Sequence, residues 1–154
     1  MSVNLESQPS AAATDLREAM MALARQLRRH RPDNGLTLSQ LELLGDVSRA
    51  GVTTPAEVAA RLHVRVQSLT DGINELEARG LISRRPDDAD RRRQLIELTP
   101  DGLDLLMRDR AQRDTWLFET MRDHLTELEV NLLMLTAPVL RKLADADHTA
   151  QSMP

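Results

Sequence analysis

Apolar residues recur at helical spacing along most of this chain and fall into strand-like runs in only one stretch. Leu16, Met20, Leu23 and Leu27 share one face of a helix predicted from Thr14 to Arg31, which Pro32 and the loop RPDNG end. Thr37 with Gln40 makes a capping box for a second helix through Leu41, Leu44 and Val47, closed by Gly51. Thr54, Pro55 and Glu57 start a short third helix through Val58, Ala59 and Leu62. A fourth runs from Val66 to Gly80, with Val66, Leu69, Ile73 and Leu76 inward and Gln67, Ser68, Asp71, Asn74 and Glu75 on the opposite face. Gly72 lies beside the inward stripe, where close backbone packing would account for it. Leu81-Ile82-Ser83-Arg84-Arg85 and Gln94-Leu95-Ile96-Glu97-Leu98 read as two strands around a charged turn.

Thr99-Pro100 opens a long helix to about His124, with Leu103, Met107, Ala111, Leu117 and Met121 as its apolar positions and Leu125 just beyond. Between Met107 and Thr115 it is polar nearly all round, which predicts an exposed stretch. Thr126 with Glu129 caps a last helix to about Ala146, with Pro138 expected to kink it. That helix is apolar on two faces: Leu128, Leu132, Leu135, Val139 and Leu143 on one, and Val130, Leu133, Met134 and Leu140 on the other. A second copy of the chain is the simplest cover. The alternative is that the first and last helices of one chain bury both faces.

Two short helices followed by a hairpin describe a winged helix-turn-helix. The expected fold is mainly α with a small β-hairpin wing. Residues 36–99 form the winged lobe, 14–31 and 100–147 the dimerisation helices, and 1–13 and 148–154 flexible tails. Composition agrees. Apolar residues make up 41% of 154, enough for one core, while aromatics are 1%, so Leu, Val, Ala and Met must fill it and helices should dominate. Trp116 and Phe118 are the large aromatics and are expected to pack rather than stack on a ligand.

Charge changes the picture through its distribution. The net charge is −4, mildly against a nucleic-acid binder. Residues 61–93 nevertheless hold eight Arg against six Asp or Glu. Nineteen of the twenty basic residues are Arg, the better fork for phosphate and guanine, although a GC-rich genome produces the same excess. No Cys is present, which excludes disulfides, thiolate metal sites and thiol redox sensing. His30, His63, His124 and His148 lack ligand spacing, so neither a metal nor a cofactor is expected. The start MSVNLESQPS has no apolar signal region and no run is long enough for a bilayer, so a soluble, cytoplasmic protein is expected, with no membrane partner.

The candidate chemistry is DNA recognition. The N-terminal residues of a recognition helix meet base edges, here Arg65, Gln67, Ser68 and Asp71. Arg forks onto guanine and Gln onto adenine, and the helix N-terminus favours phosphate. Asp71 stands where a phosphate would repel it; accepting from cytosine or orienting Gln67 are the two roles open to it. In the turn, Arg91, Arg92 and Arg93 concentrate charge suited to a narrow minor groove, and Asp90 can hold Arg92 by paired hydrogen bonds. A solvated polar helix face and a solvated charged hairpin are the plainer alternatives. Arg28-Arg29-His30-Arg31 suits a helix C-terminus, or a phosphate or anionic ligand.

These residues resemble the MarR family of bacterial transcription regulators, from about Leu16 to Asp145. PDDADRRRQLIELTPDG looks like the family wing, with Asp90 and Arg92 at its Asp-x-Arg positions and Leu98-Thr99 leading into the long helix. LEARG and GLIS fit too. The resemblance implies an obligate homodimer that places recognition helices in successive major grooves of double-stranded DNA and wings in the flanking minor grooves. It also implies repression relieved by a small anionic or aromatic effector, whose binding residues it leaves unknown. The chain departs from the family at Arg65, where Ser is frequent, and at Asp71, where a basic residue is common. The expected function is a homodimeric, sequence-specific regulator that represses from a pseudo-palindromic operator. The competing reading is a winged-helix protein-interaction module without sequence-specific DNA binding, motivated by the acidic total and Asp71. An enzyme is not expected, because no acid, base or nucleophile constellation is present.

Overall fold

A computed structural model describes residues 9–146, within two compact units that divide after Arg113. The first unit opens with α1 (Pro9–Arg29). It starts earlier than Thr14, inside the expected tail, because Pro at a helix start loses no needed donor and Ala11, Ala12 and Ala13 are strong helix formers. Its predicted stripe is not buried: Leu16, Met20 and Leu23 are exposed, and Leu27 is half-buried. The expected C-terminal tail, residues 148–154, lies outside the described residues.

The lobe follows the capping signals closely. Helix α2 (Leu38–Ala50) carries the Thr37–Gln40 capping box and ends at Gly51, whose φ of 75° favours glycine. Helix α3 (Pro55–Arg61) carries the Thr54–Glu57 box, and α4 (Val66–Ala78) follows after a short turn. Leu41, Leu44 and Val47 of α2, Val58 and Ala59 of α3, and Leu69, Ile73 and Leu76 of α4 form the core with Leu43. Val66 is the exception, exposed at the open first turn of α4.

The wing is one strand richer than the hairpin read from sequence. Strands β2 (Ile82–Pro86) and β3 (Gln94–Leu98) pair antiparallel, with Arg84 opposite Ile96. A two-residue strand β1 (Val52–Thr53) pairs with the other edge of β3, Thr53 opposite Ile96, giving the order β1-β3-β2. Two residues show no alternation, so only the tertiary pairing reveals β1. Ile82 and Ile96 are buried under the sheet.

Helix α5 (Pro100–His124) begins where Thr99 bridges the lobe. The Thr99 hydroxyl donates to the Gly80 carbonyl at 2.6 Å and accepts from the Gly102 N–H at 3.0 Å. A Cβ on Gly102 would overlap the Leu81 carbonyl. This close start turns Gly102, Leu106 and Asp109 inward, while the predicted positions Leu103, Met107 and Ala111 are exposed. The stretch expected to be exposed therefore contains a wholly buried carboxylate, Asp109. Arg31 Nε (3.5 Å), Asn34 Nδ2 (3.2 Å) and Arg113 Nη2 (2.5 Å) donate to it. Periodicity of apolar residues cannot register a buried charge with partners this distant in sequence.

The second unit holds the rest of α5 and helix α6 (Glu127–Ala144), opened by the Thr126–Glu129 box and containing Pro138. No residue of α6 is buried. Of the two aromatics expected to pack, Trp116 is half-buried and Phe118 is 65% exposed in the single chain. Among the described residues no helix is long and apolar enough to cross a membrane.

Candidate nucleic-acid interface

Helix α4 presents its first two turns to solvent. Between α3 and α4 the chain turns through His63 at φ 53°, held by Val64 N–H donating to the Ala59 carbonyl at 3.0 Å. Arg65 is the N-cap and makes no side-chain cap bond, and the first turn carries no acid. The leading N–H groups of α4 thus face outward without a carboxylate competing for them. Arg65, Gln67, Ser68 and Asp71 are all exposed around that end. Among the described residues no hydrogen bond joins Asp71 to Gln67, the orienting role considered for it.

Farther along α4 the outward residues are engaged by the lobe itself. Gln40 Nε2 donates to the Glu75 carboxylate while Gln40 Oε1 accepts from the Thr37 N–H at 2.9 Å, so one amide closes the α2 cap and anchors α4. Asn74 Oδ1 accepts from Arg84 Nη2 at 2.5 Å. Arg84 Nε lies 3.1 Å from the Glu77 carboxylate, an ion pair without hydrogen-bond alignment, so that nitrogen has no hydrogen-bond partner. Arg79 donates to the carbonyls of Asn34 (2.8 Å) and Gly35 (3.0 Å), fixing the loop before α2. Asn74 and Glu75 are thus engaged within the lobe, while Arg65, Gln67, Ser68 and Asp71, the four expected positions, stand exposed nearer the start of α4.

The wing tip is ordered by its acids. Asp87 Oδ1 accepts from Ala89 N–H at 2.9 Å. One oxygen of Asp90 accepts both the main-chain N–H (3.1 Å) and Nε (3.2 Å) of Arg92, so a single guanidinium bond, joined by a backbone bond, replaces the side-chain pair expected from sequence. The Arg92 side chain is still 92% exposed, and Arg91 beside it is exposed too. Arg93 behaves differently: its Nη2 donates to Glu57 Oε1 of α3 at 3.2 Å. Glu57 also accepts from the Thr53 hydroxyl at 2.8 Å and the Thr54 N–H at 3.0 Å. These bonds, Thr53 first, with a smaller contribution from the Arg93 charge, hold its carboxyl below the usual range.

Three charged features lay outside the sequence reading. Asp46 of α2, buried, receives a fork from Arg61 at 2.7 and 3.2 Å, and Arg61 Nη2 also donates to the Thr53 hydroxyl at 3.0 Å. The Asp46 bond pushes the Arg61 pKa up. The second is the Asp109 cluster. The third is a cleft of about 580 Å³ bordered by α1, α2 and α5, into which Arg28, Arg31, Arg49, Arg110 and Arg113 converge with one acid, Glu42, over apolar Leu27, Leu41 and Leu106. The cluster Arg28-Arg29-His30-Arg31 had hinted at it, but Arg49, Arg110 and Arg113 join only in three dimensions. Among the described residues no three His, Asp or Glu side chains gather as a metal site.

Two helices across a tight turn, a three-stranded sheet and a charged hairpin define a winged helix-turn-helix protein. The chain belongs to the MarR family, whose model matches residues 34–93. It is 35% identical over 133 residues to an HTH-type transcriptional regulator of Mycobacterium tuberculosis, covering 86% of this chain and 92% of that one. A Mycobacterium leprae regulator of the same type is 38% identical over 109 residues, 71% of this chain and 76% of the relative. Among solved structures, a transcriptional regulator from Pseudomonas aeruginosa PA01 superposes with TM-score 0.80 and 35% identity over 90% of this chain and 98% of that one. A variant of Escherichia coli MarR complexed with operator DNA shares the fold, with TM-score 0.63 and 22% identity over 92% and 99% of the two chains. The family is one of transcriptional regulators, not enzymes.

Proposed function

We infer that the protein is a homodimeric repressor that binds a pseudo-palindromic operator in the cytoplasm and leaves it when an anionic effector binds. The observation that carries the DNA reading is the pairing of an open, acid-free first turn on α4 with a wing tip whose Arg92 is bonded to Asp90 yet almost fully exposed. Arg65 and Gln67 are the base-reading residues, Ser68 serves phosphate or base, and Arg91 and Arg92 enter the minor groove. Asp71 accepts from cytosine N4, a role consistent with its making no bond to Gln67. Operator binding by Escherichia coli MarR supports the partner.

Dimerisation is supported by apolar side chains with no cover: Leu16, Met20 and Leu23 on α1, and Leu128, Leu132 and Leu135 on α6. The effector is supported by the five-Arg cleft, whose walls suit a small anion with an apolar body.

The test is selection of genomic DNA by the purified protein at near-physiological salt. A shared inverted repeat is expected, and Arg92→Ala, which removes one contact from each protomer, should weaken binding to it and lower the salt slope by about 2. Binding without sequence preference, fading steeply with salt, would favour the protein-interaction module that exposed Asp71 and the net charge of −4 also fit.

A further inference from the structure

We propose that Glu57 and Arg93 form a clamp setting the wing against the helix-turn-helix, so that Arg93 is a positioning residue for DNA binding and not a DNA contact. This rests on the DNA-binding reading and assigns adjacent arginines opposite tasks.

The two oxygens of Glu57 divide the work. Oε2 accepts the Thr54 N–H and the Thr53 hydroxyl, which closes the cap of α3 and fixes the rotation of the carboxylate. Oε1 is thereby held toward the wing, where it takes Arg93 Nη2 at 3.2 Å. On the wing side, the main chain of Arg93 closes the loop. Its carbonyl accepts from Asp87 N–H at 3.0 Å and its N–H donates to the Asp90 carbonyl at 2.8 Å. Its second terminal nitrogen lies 4.0 Å from the Asp87 carboxylate. Arg93 therefore fastens the base of the tip through its backbone and ties that base to α3 through its side chain. Thr53 belongs to β1, which pairs with β3, so strand, helix cap and wing meet in one hydrogen-bonded set.

The consequence is geometric. Antiparallel pairing holds β2 to β3 but leaves the hairpin free to bend and twist as a unit. The reach of Arg91 and Arg92 into a groove depends on the angle between that unit and α4. A guanidinium already bonded to Glu57, with the Asp87 carboxylate 4.0 Å away, is poorly placed to neutralise a phosphate as well. The Glu57 and Arg93 side chains are both about half exposed, so the clamp is a weak one, and its loss should cost a small factor in affinity.

The experiment measures affinity for the selected operator across a salt series with wild type, Glu57→Gln, Arg93→Ala and the double variant. Gln at position 57 keeps a capping box, so folding is retained. Each single variant is expected to bind about two- to fivefold more weakly, with the wild-type salt slope, and the double variant no more weakly than the worse single. Amide exchange at Asp87, whose N–H donates to the carbonyl of residue 93, should quicken without DNA in both single variants. A salt slope lowered by about 2 in Arg93→Ala, one contact per protomer, with effects that multiply in the double variant, would make Arg93 a phosphate contact and overturn the clamp. So would wild-type affinity and amide exchange in all variants. Wild type that shows no sequence preference would instead remove the DNA-binding reading, and the clamp with it.

Discussion

Asp109 is a buried carboxylate surrounded by three donors from two places in the chain: Arg31 and Asn34 after α1, and Arg113 one turn on in α5. Its cost of burial is offset only while those donors stay, and theirs only while it stays. Arg31 and Arg113 retain 13% and 32% exposure, so part of their charge remains solvated. Asp109→Ala is expected to lower unfolding free energy by about 2–4 kcal/mol, toward the lower side of the usual cost of breaking a buried pair. A urea midpoint indistinguishable from wild type would show that the cluster carries no net stability. Arg31 and Arg113 also line the cationic cleft, so the same carboxylate aligns two of the groups that would meet an anion there.

Two helical glycines look alike in sequence and differ in place. Gly72 in α4 has room: an added Cβ would sit 3.7 Å from Leu43 Cδ2, an ordinary contact. The close backbone packing expected of it is not required, so only the loss of helix propensity remains. Gly102 in α5 has none, because the Leu81 main chain occupies the space where Cβ would go. Gly72→Ala should raise stability by about 0.5–1 kcal/mol, and Gly102→Ala should lower it by about 1–3 kcal/mol, both read from denaturant midpoints. Equal shifts in the same direction would contradict the difference. The elements themselves were legible because their ends are chemically marked. Thr37, Thr54 and Thr126 each begin a helix with Gln or Glu three residues on, and all three boxes form. Strand β1 was not legible, since its two residues exist as a strand only against β3.

As a whole, the chain leaves much apolar surface on its first and last helices. Leu128, Leu132, Leu135, Val139 and Leu143 are exposed on α6, in a chain with a net charge of only −4. Exposed apolar faces of this kind mark association surfaces. Sedimentation of the purified protein should therefore give a dimer, and Leu135→Glu should shift it toward monomer. A wild-type monomer at micromolar concentration would remove the two-half-site model of operator binding.

The order and type of the helices, the hairpin, the exposed start of α4 and a bond between Asp90 and Arg92 were all legible in the sequence. Each depends on residues within a few positions of one another, where caps, turns and helical periodicity act. The resemblance to the MarR family was legible for the same reason, being carried by the contiguous wing. Only the tertiary structure decided which face of α5 turns inward, that Asp109 is buried, that five arginines share a cleft, and that Arg93 turns back to Glu57 while Arg92 stands out. Those outcomes join groups far apart in sequence, and charge pairing across such distances leaves no periodic trace in a single chain.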